Sequence, residues 1–432
     1  MISVKKITSK NFLGTITALM FVLLCFAYPI SAITSNVLGL PSTLVNVTYR
    51  AFNLLIALYV ILVLCLTNFD KITINRFSIP LLCFFGFYFL RIFWDTIIVS
   101  VSTEQSLIEI YSFYIGSIIF PVIAILLAFK FADLKKTFML MFYVLALTNI
   151  LMMFFYFSQS GWVISPEMLM NRAEIKGENE ELLIINPISF GLYGGYLVLL
   201  CLSFLMILKD SISKKFVFLI CLFLFIGFAN LILGTSRGPF LFTFLGIVLI
   251  SFFHFSYAKF SLKYSLNFLM TSIFITLACI LLYIKVSSEG IEIGIIERMI
   301  NTKENIQSGD KESRNELFME AISMFEKSPI WGEKIVLDST SSYPHNAIVE
   351  VLMATGLIGF ILYLFIIFNL FVKFIIFKRY TKYFVVIFSL FVLSYGISLT
   401  TGNLYQSVDN WNLIAVLLCF SNKLTTESFK KM

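Results

Sequence analysis

A chain that enters a lipid bilayer must satisfy every backbone N–H and C=O within itself, and only helices and closed barrels do so. This sequence meets that constraint repeatedly. Apolar windows of about twenty residues, enough for a helix to cross the hydrocarbon core, fall near 12–33, 51–67, 78–100, 108–129, 137–158, 187–208, 216–233, 239–257, 264–285, 353–372, 383–401 and 409–422. Hydrophobic residues make up 59% of the chain and charged residues 13%, a balance that would leave a soluble domain without a polar surface. The expected fold is an all-α polytopic membrane protein of about 12 transmembrane helices.

Lysine and arginine alternate in step with these windows. With the N-terminus inside, the cytoplasmic segments hold twenty of the 32 basic residues, among them Lys71, Lys135, Lys136, Lys214, Lys259 and Arg379. The short outer loops hold only Arg50 and Arg237. This positive-inside bias places both termini in the cytoplasm. It also accounts for most of the net charge of +7 without nucleic acid as a partner. In chain order the organisation reads as an N-terminal bundle of about five spans over 1–158, an outer loop over 159–186, central spans over 187–286, a long outer loop over 287–345 and C-terminal spans over 346–432. Lys5, Lys6 and Lys10 ahead of the first apolar run resemble a signal peptide, with "ISA" at 30–32 as its cleavage site; an uncleaved first span is the expectation. All seven cysteines lie in apolar runs and read as small buried hydrophobes, not disulfides or metal thiolates. Trp94 and Trp411 are expected in the interfacial aromatic belt, and Trp162 and Trp331 either there or as stacking platforms for sugars.

The polar chemistry concentrates in the outer segments. In "LGTSRGPF", glycines flank Arg237 and Pro239 suits a first helical position. An arginine beside the unpaired N–H groups of a helix start favours an anion; the alternative is an arginine snorkelling to the interface. In "SRNELFMEAISMFEKSPIWG", Ser313 and Glu316 have capping-box spacing, Phe318, Ala321, Ile322 and Phe325 form one apolar face, and Pro329 ends the pattern. The expected element is an amphipathic helix lying on the membrane or across other spans. Arg314 in its first turn opposes the helix dipole unless an anion sits nearby, and a solvated surface arginine is the other reading. Arg298 can pair with Glu297, and Arg172 is a further candidate contact for phosphate or sugar. His345 and Asn346 in "SSYPHNAIVEV" are expected to begin the next helix, His345 as a general base or as a simple cap. His254, with no polar neighbours in sequence, reads as structural, and Arg91 and Asp95, spaced i and i+4, read as a pair within the membrane.

"TSRG", "SRNELFMEAISMFEKSPIWG" and "YPHNAIVEVLMATGLIG", in that order around one long loop, resemble the O-antigen ligase and polymerase superfamily, over roughly residues 165–360. The resemblance implies a glycosyltransferase of the bacterial inner membrane, its active site facing the periplasm. It would use polyprenyl-diphosphate-linked glycans without a metal or other cofactor. It implies that Arg237 and Arg314 hold the diphosphate and that His345 acts at the acceptor hydroxyl; Arg172, Arg298 and Asn346 are further candidate substrate contacts. The expected partners are the lipid-linked glycans, membrane lipid and, as candidate protein partner, a chain-length regulator. The compact loop and the "SP-I-WG" ending resemble polymerases more than ligases. A transporter or flippase is the rival from another class, although the spans hold few ionisable groups and no internal repeat is visible.

The topology is directly checkable. Alkaline phosphatase fused after Ile300 is expected to be active and green fluorescent protein fused after Lys136 to fluoresce; the reverse pattern would invert the orientation.

Overall fold

The computed structural model describes residues 10–67, 76–162, 173–176, 183–208, 213–257, 313–377 and 382–420. The elements are α1 (Lys10–Phe26), α2 (Tyr28–Val37), α3 (Ser42–Thr67), α4 (Ile79–Phe93), α5 (Leu107–Phe113), α6 (Phe120–Ala128), α7 (Leu134–Gln159), β1 (Ile175–Lys176), β2 (Leu183–Ile185), α8 (Pro187–Met206), α9 (Lys214–Leu233), α10 (Arg237–Tyr257), α11 (Ser313–Lys327), α12 (Ala347–Phe377), α13 (Lys382–Ser398) and α14 (Val408–Cys419). The protein is an all-α polytopic membrane protein. Among the described residues, eight helical segments are long and apolar enough to cross a membrane, or nine if α1 and α2, bent by 69° where they meet, form one broken span. α13 and α14 are apolar but shorter. The window at 264–285 lies outside the described residues. β1 and β2 pair antiparallel, a small addition to the helices that the sequence did not suggest.

The chain divides into two compact units, residues 1–144 with 311–432, and residues 145–310. In the second unit α8 and α9 approach closely at small residues: a Cβ on Gly194 would lie 2.7 Å from the Gly227 carbonyl oxygen. Helices in lipid gain little from the hydrophobic effect, so close backbone approach and polar contacts bind them. The polar contact here is a buried amide pair. Asn230 Nδ2 donates to Asn149 Oδ1 at 2.9 Å, and Asn149 Nδ2 donates to the Tyr193 carbonyl at 3.1 Å. His254 Nδ1 lies 2.8 Å from the Met206 carbonyl oxygen.

The first unit is organised around a break in α12. Gly356 has φ 59° and ψ −160° inside this helix, so Leu357 N–H cannot reach Met353 O in the ordinary i to i−4 manner. Both groups find partners in the preceding loop. Leu357 N donates to Pro329 O at 2.8 Å, and Glu333 N donates to Met353 O at 2.8 Å. Non-helical backbone at membrane depth survives only where protein satisfies it, and this loop does so. The fit demands glycine on both sides. Gly332 has φ 79°, and a Cβ on it would lie 2.3 Å from the Ala354 carbonyl carbon; a Cβ on Gly356 would lie 2.5 Å from Ile330 backbone atoms.

The same loop is tied to the end of α4. Arg91 and Asp95 do pair, with Nη2 2.7 Å from Oδ1. Each also reaches the loop: Arg91 Nη1 donates to Gly332 O at 3.3 Å, and Asp95 Oδ2 accepts from Ile335 N at 2.8 Å. α11 closes the arrangement from the other side, its Ala321 and Met324 packing with Leu337, Val349 and Met353.

Several expectations are corrected. α11 rests on α12 through Leu317, Ala321, Ile322 and Met324; Ala321 and Ile322 belong to the expected face, but Phe318, also assigned to it, is 40% exposed. Trp411 is not a belt residue. It is 1% exposed, packs against Phe85 with ring centroids 5.0 Å apart, and donates from Nε1 to Leu404 O at 2.7 Å. Arg50 lies within α3, not in a loop, buried with its guanidinium over the Phe113 ring and donating to Ser112 Oγ at 3.2 Å. Cys25 and Cys201 are buried, but Cys65, Cys83 and Cys221 lie on exposed helix faces.

Gly356→Ala tests the interlock. The backbone region at φ 59°, ψ −160° is essentially glycine-only and costs another residue about 1–3 kcal/mol before the clash with Ile330 is counted. The expected result is a melting temperature several degrees lower in the detergent-purified protein, followed by tryptophan fluorescence; an unchanged value would contradict the interlock.

Candidate functional site

His345 does not begin α12; it precedes it by two residues. Asn346 is the N-cap, its Oδ1 accepting from Ile348 N at 3.0 Å and Val349 N at 3.2 Å. Asparagine is among the best residues for this role, since its side chain satisfies amides that the helix leaves open. The cap also reaches sideways: Asn346 Nδ2 donates to Leu399 O at 3.0 Å. His345 itself is held at φ 56°, in the left-handed region that non-glycine residues seldom occupy and that clusters at functional sites. Its Nδ1 lies 3.5 Å from Thr401 O, and its ring meets the Tyr343 ring edge-on at 4.6 Å between centroids. Burial pushes the Tyr343 hydroxyl above its ordinary range, and the Glu350 and Glu104 carboxylates add to this.

The imidazole sits on a frame built from two loops. On one side the stretch 328–344 is fixed by the Gly332–Gly356 interlock, by Leu337 N donating to Ser342 O at 2.7 Å, and by Glu104 N donating to Ser341 O at 3.0 Å. On the other side the turn after α13 presents the Leu399 and Thr401 carbonyls. If Nδ1–H points at Thr401 O, the Nε2 lone pair is the one available to accept a proton.

Arg237 is the first residue of α10, and Pro239 is the third helical residue, not the first. Gly234 has a packing explanation, because a Cβ there would lie 2.7 Å from Gly191 N and Pro187 O. It is therefore no sign of an anion. The turn is marked instead by Thr235, a buried residue at φ 40° whose Oγ1 has no hydrogen-bond partner among the described residues. The chain before α8 packs beside this turn, with Ala173 N donating to Leu233 O at 3.0 Å. Arg314 falls in the first turn of α11, as expected, but its side chain, like all of Arg172 and Arg298, lies outside the described residues.

One residue escaped the sequence reading. Glu350, in the first turn of α12, is fully buried and bonded through both carboxylate oxygens. The available signal was a lone acid in "AIVEVLMATG", an otherwise apolar run. Among the described residues, no group of three or more His, Cys, Asp or Glu side chains could hold a metal ion.

Residues 221–364 match the Wzy_C family model, described as O-antigen ligase. The matched segment, about a third of the chain, runs from within α9 into α12 and includes Arg237, Arg314, His345 and Asn346. It supports assignment to the O-antigen polymerase and ligase superfamily, whose members are glycosyltransferase-like enzymes of surface-polysaccharide synthesis. No curated protein and no solved structure matches the chain.

The cap makes a separable prediction. Asn346→Ala loses both the cap and the contact to Leu399 O, and is expected to lower stability by about 0.5–2 kcal/mol. Asn346→Asp keeps the acceptor and should recover most of that stability in the same denaturation assay. Equal losses in both variants would show that Leu399 O, not the cap, is what matters.

Proposed function

We propose that this protein, a membrane protein with an O-antigen ligase-type segment, is an O-antigen polymerase of the bacterial inner membrane, acting on its periplasmic side. It joins repeat units carried on polyprenyl diphosphate. In each transfer a hydroxyl oxygen of the acceptor glycan bonds to the anomeric carbon of the donor glycan, and the bond from that carbon to the diphosphate oxygen breaks. The hydroxyl proton goes to Nε2 of His345, a general-base effect typically worth ~10²–10⁴ in rate. The lipid diphosphate leaves with added negative charge, which the guanidinium groups of Arg237 and Arg314 hold. Arginine suits this role because its planar fork meets phosphate oxygens in pairs, and donors placed in advance where charge develops stabilise the transition state most.

The observation that carries this reading is His345, held left-handed ahead of a capped helix and beside the Thr401 carbonyl of a second loop, inside the segment that matches the family model. Left-handed strain that the surroundings fully determine is the pattern of a functional position. The polymerase reading over a ligase, which would hand the polymer to lipid A-core, rests on the compact outer loop and its "SP-I-WG" ending, Ser328 to Gly332, which resemble polymerases. Attack opposite the diphosphate inverts the anomeric centre.

Removing a charge-assisted contact typically costs ~1.5–3 kcal/mol. Arg237→Ala and Arg314→Ala are therefore each expected to cut polymer formation roughly ten- to hundredfold at equal protein in the membrane, measured as glycan longer than one repeat. Wild-type polymer in either variant removes that arginine from the mechanism. The donor and the new linkage should have opposite anomeric configurations by nuclear magnetic resonance; the same configuration would exclude a single inverting step.

A further inference from the structure

The carboxylate of Glu350 has no role in the chemistry above, yet it occupies a costly position. It lies in a candidate membrane span, fully buried, and among the described residues no cation pairs with it. Ionisable groups in such places are expensive and tend to serve function. Two neutral donors hold it instead. Tyr88 Oη, from α4, donates to Oε1 at 2.9 Å, and the backbone N–H of Leu404 donates to Oε2 at 3.0 Å. Leu404 belongs to the turn between α13 and α14, the turn whose Leu399 and Thr401 carbonyls brace Asn346 and His345. Trp411 pins Leu404 from the other side through its carbonyl.

Taking the proposed general-base role of His345 as given, we infer that Glu350 is a positioning residue for this imidazole. Its two hydrogen bonds lock the 399–404 turn to the first turn of α12 and to α4, fixing where the Thr401 carbonyl stands and hence how the imidazole is turned. The side chain acts as a double acceptor, and the role needs acceptance, not charge. Glutamine meets most of that need, because its amide oxygen can accept from Leu404 N–H while its amide nitrogen donates to Tyr88 Oη, a hydroxyl free to reverse its direction. Alanine meets none of it and leaves two buried donors unpaired.

The experiment uses the full-length protein in a strain lacking the native gene, with polymer measured per unit of membrane-inserted protein for wild type, His345→Ala, Glu350→Ala, Glu350→Gln and Tyr88→Phe. Glu350→Ala is expected to lose at least tenfold, Glu350→Gln to retain half of wild type or more, and Tyr88→Phe, which removes one arm of the lock, to lose two- to fivefold. Glu350→Gln as inactive as His345→Ala would overturn the positioning role in favour of a carboxylate that carries a proton. Wild-type activity in Glu350→Ala would overturn it as well. Should Glu350→Ala fail to insert, the Tyr88→Phe and Glu350→Gln pair decides, and full activity in Tyr88→Phe counts against the lock. A fully active His345→Ala would instead sink the general-base reading, whatever the Glu350 variants do.

Discussion

The first unit depends on the exchange of helical hydrogen bonds for loop hydrogen bonds at Gly356. An apolar helix can tolerate a break only where other backbone supplies the missing partners. Here the stretch 329–333 does so, with Pro329 O accepting from Leu357 N and Glu333 N donating to Met353 O. The consequence extends along the chain in both directions. A loop committed to the inside of a helix cannot drift, so the residues that follow it up to His345 inherit a fixed origin. The Arg91–Asp95 pair, which alone would read as a neutralised charge in the membrane, becomes part of the same clamp through Gly332 O and Ile335 N.

That clamp explains how an imidazole can be positioned without a conventional support. His345 lies outside any helix, and its left-handed backbone would by itself favour other conformations by about 1–2 kcal/mol. Three things hold it: the fixed loop before it, the capped helix after it, and the 399–404 turn beside it. Glu350 connects the last two, so one buried carboxylate joins the helix bearing the cap to the turn bearing the carbonyls. The cost of burying that group is borne where geometry matters most.

Much of this architecture was legible in the sequence, because hydropathy over about twenty residues and capping signals are local. Windows such as 137–158 and 187–208 correspond to α7 and α8 within a few residues, and α11 ends at Lys327, just short of Pro329. What escaped is non-local. The pairing of Gly332 with Gly356 joins residues far apart in sequence order, and nothing in "SPIWG" or "ATGLIG" alone announces it. Trp411 and Arg50 sit near span ends in sequence but are buried by neighbours that only the fold supplies. On α11, Ala321 and Ile322 of the expected face do pack on α12, but Leu317 and Met324 join them and Phe318 is left exposed, a choice that periodicity leaves degenerate. Gly234 misled for the same reason: its neighbour is Pro187 of another helix, not an anion. Glu350 was passed over as one acid in an apolar run, although a solitary carboxylate in such a run is the pattern that calls for explanation.

We propose that a rigid loop and turn present His345 as the base of a glycosyl transfer that lengthens a surface polysaccharide. The most direct measurement is a gel of surface glycolipid from a strain lacking the gene, complemented with wild type or with His345→Ala. Wild type should restore a ladder, while the uncomplemented strain and His345→Ala should both show core carrying a single repeat. A full ladder from His345→Ala would reduce the histidine to a structural residue, and bare core with lipid-linked polymer accumulating in the deletion strain would make the protein a ligase.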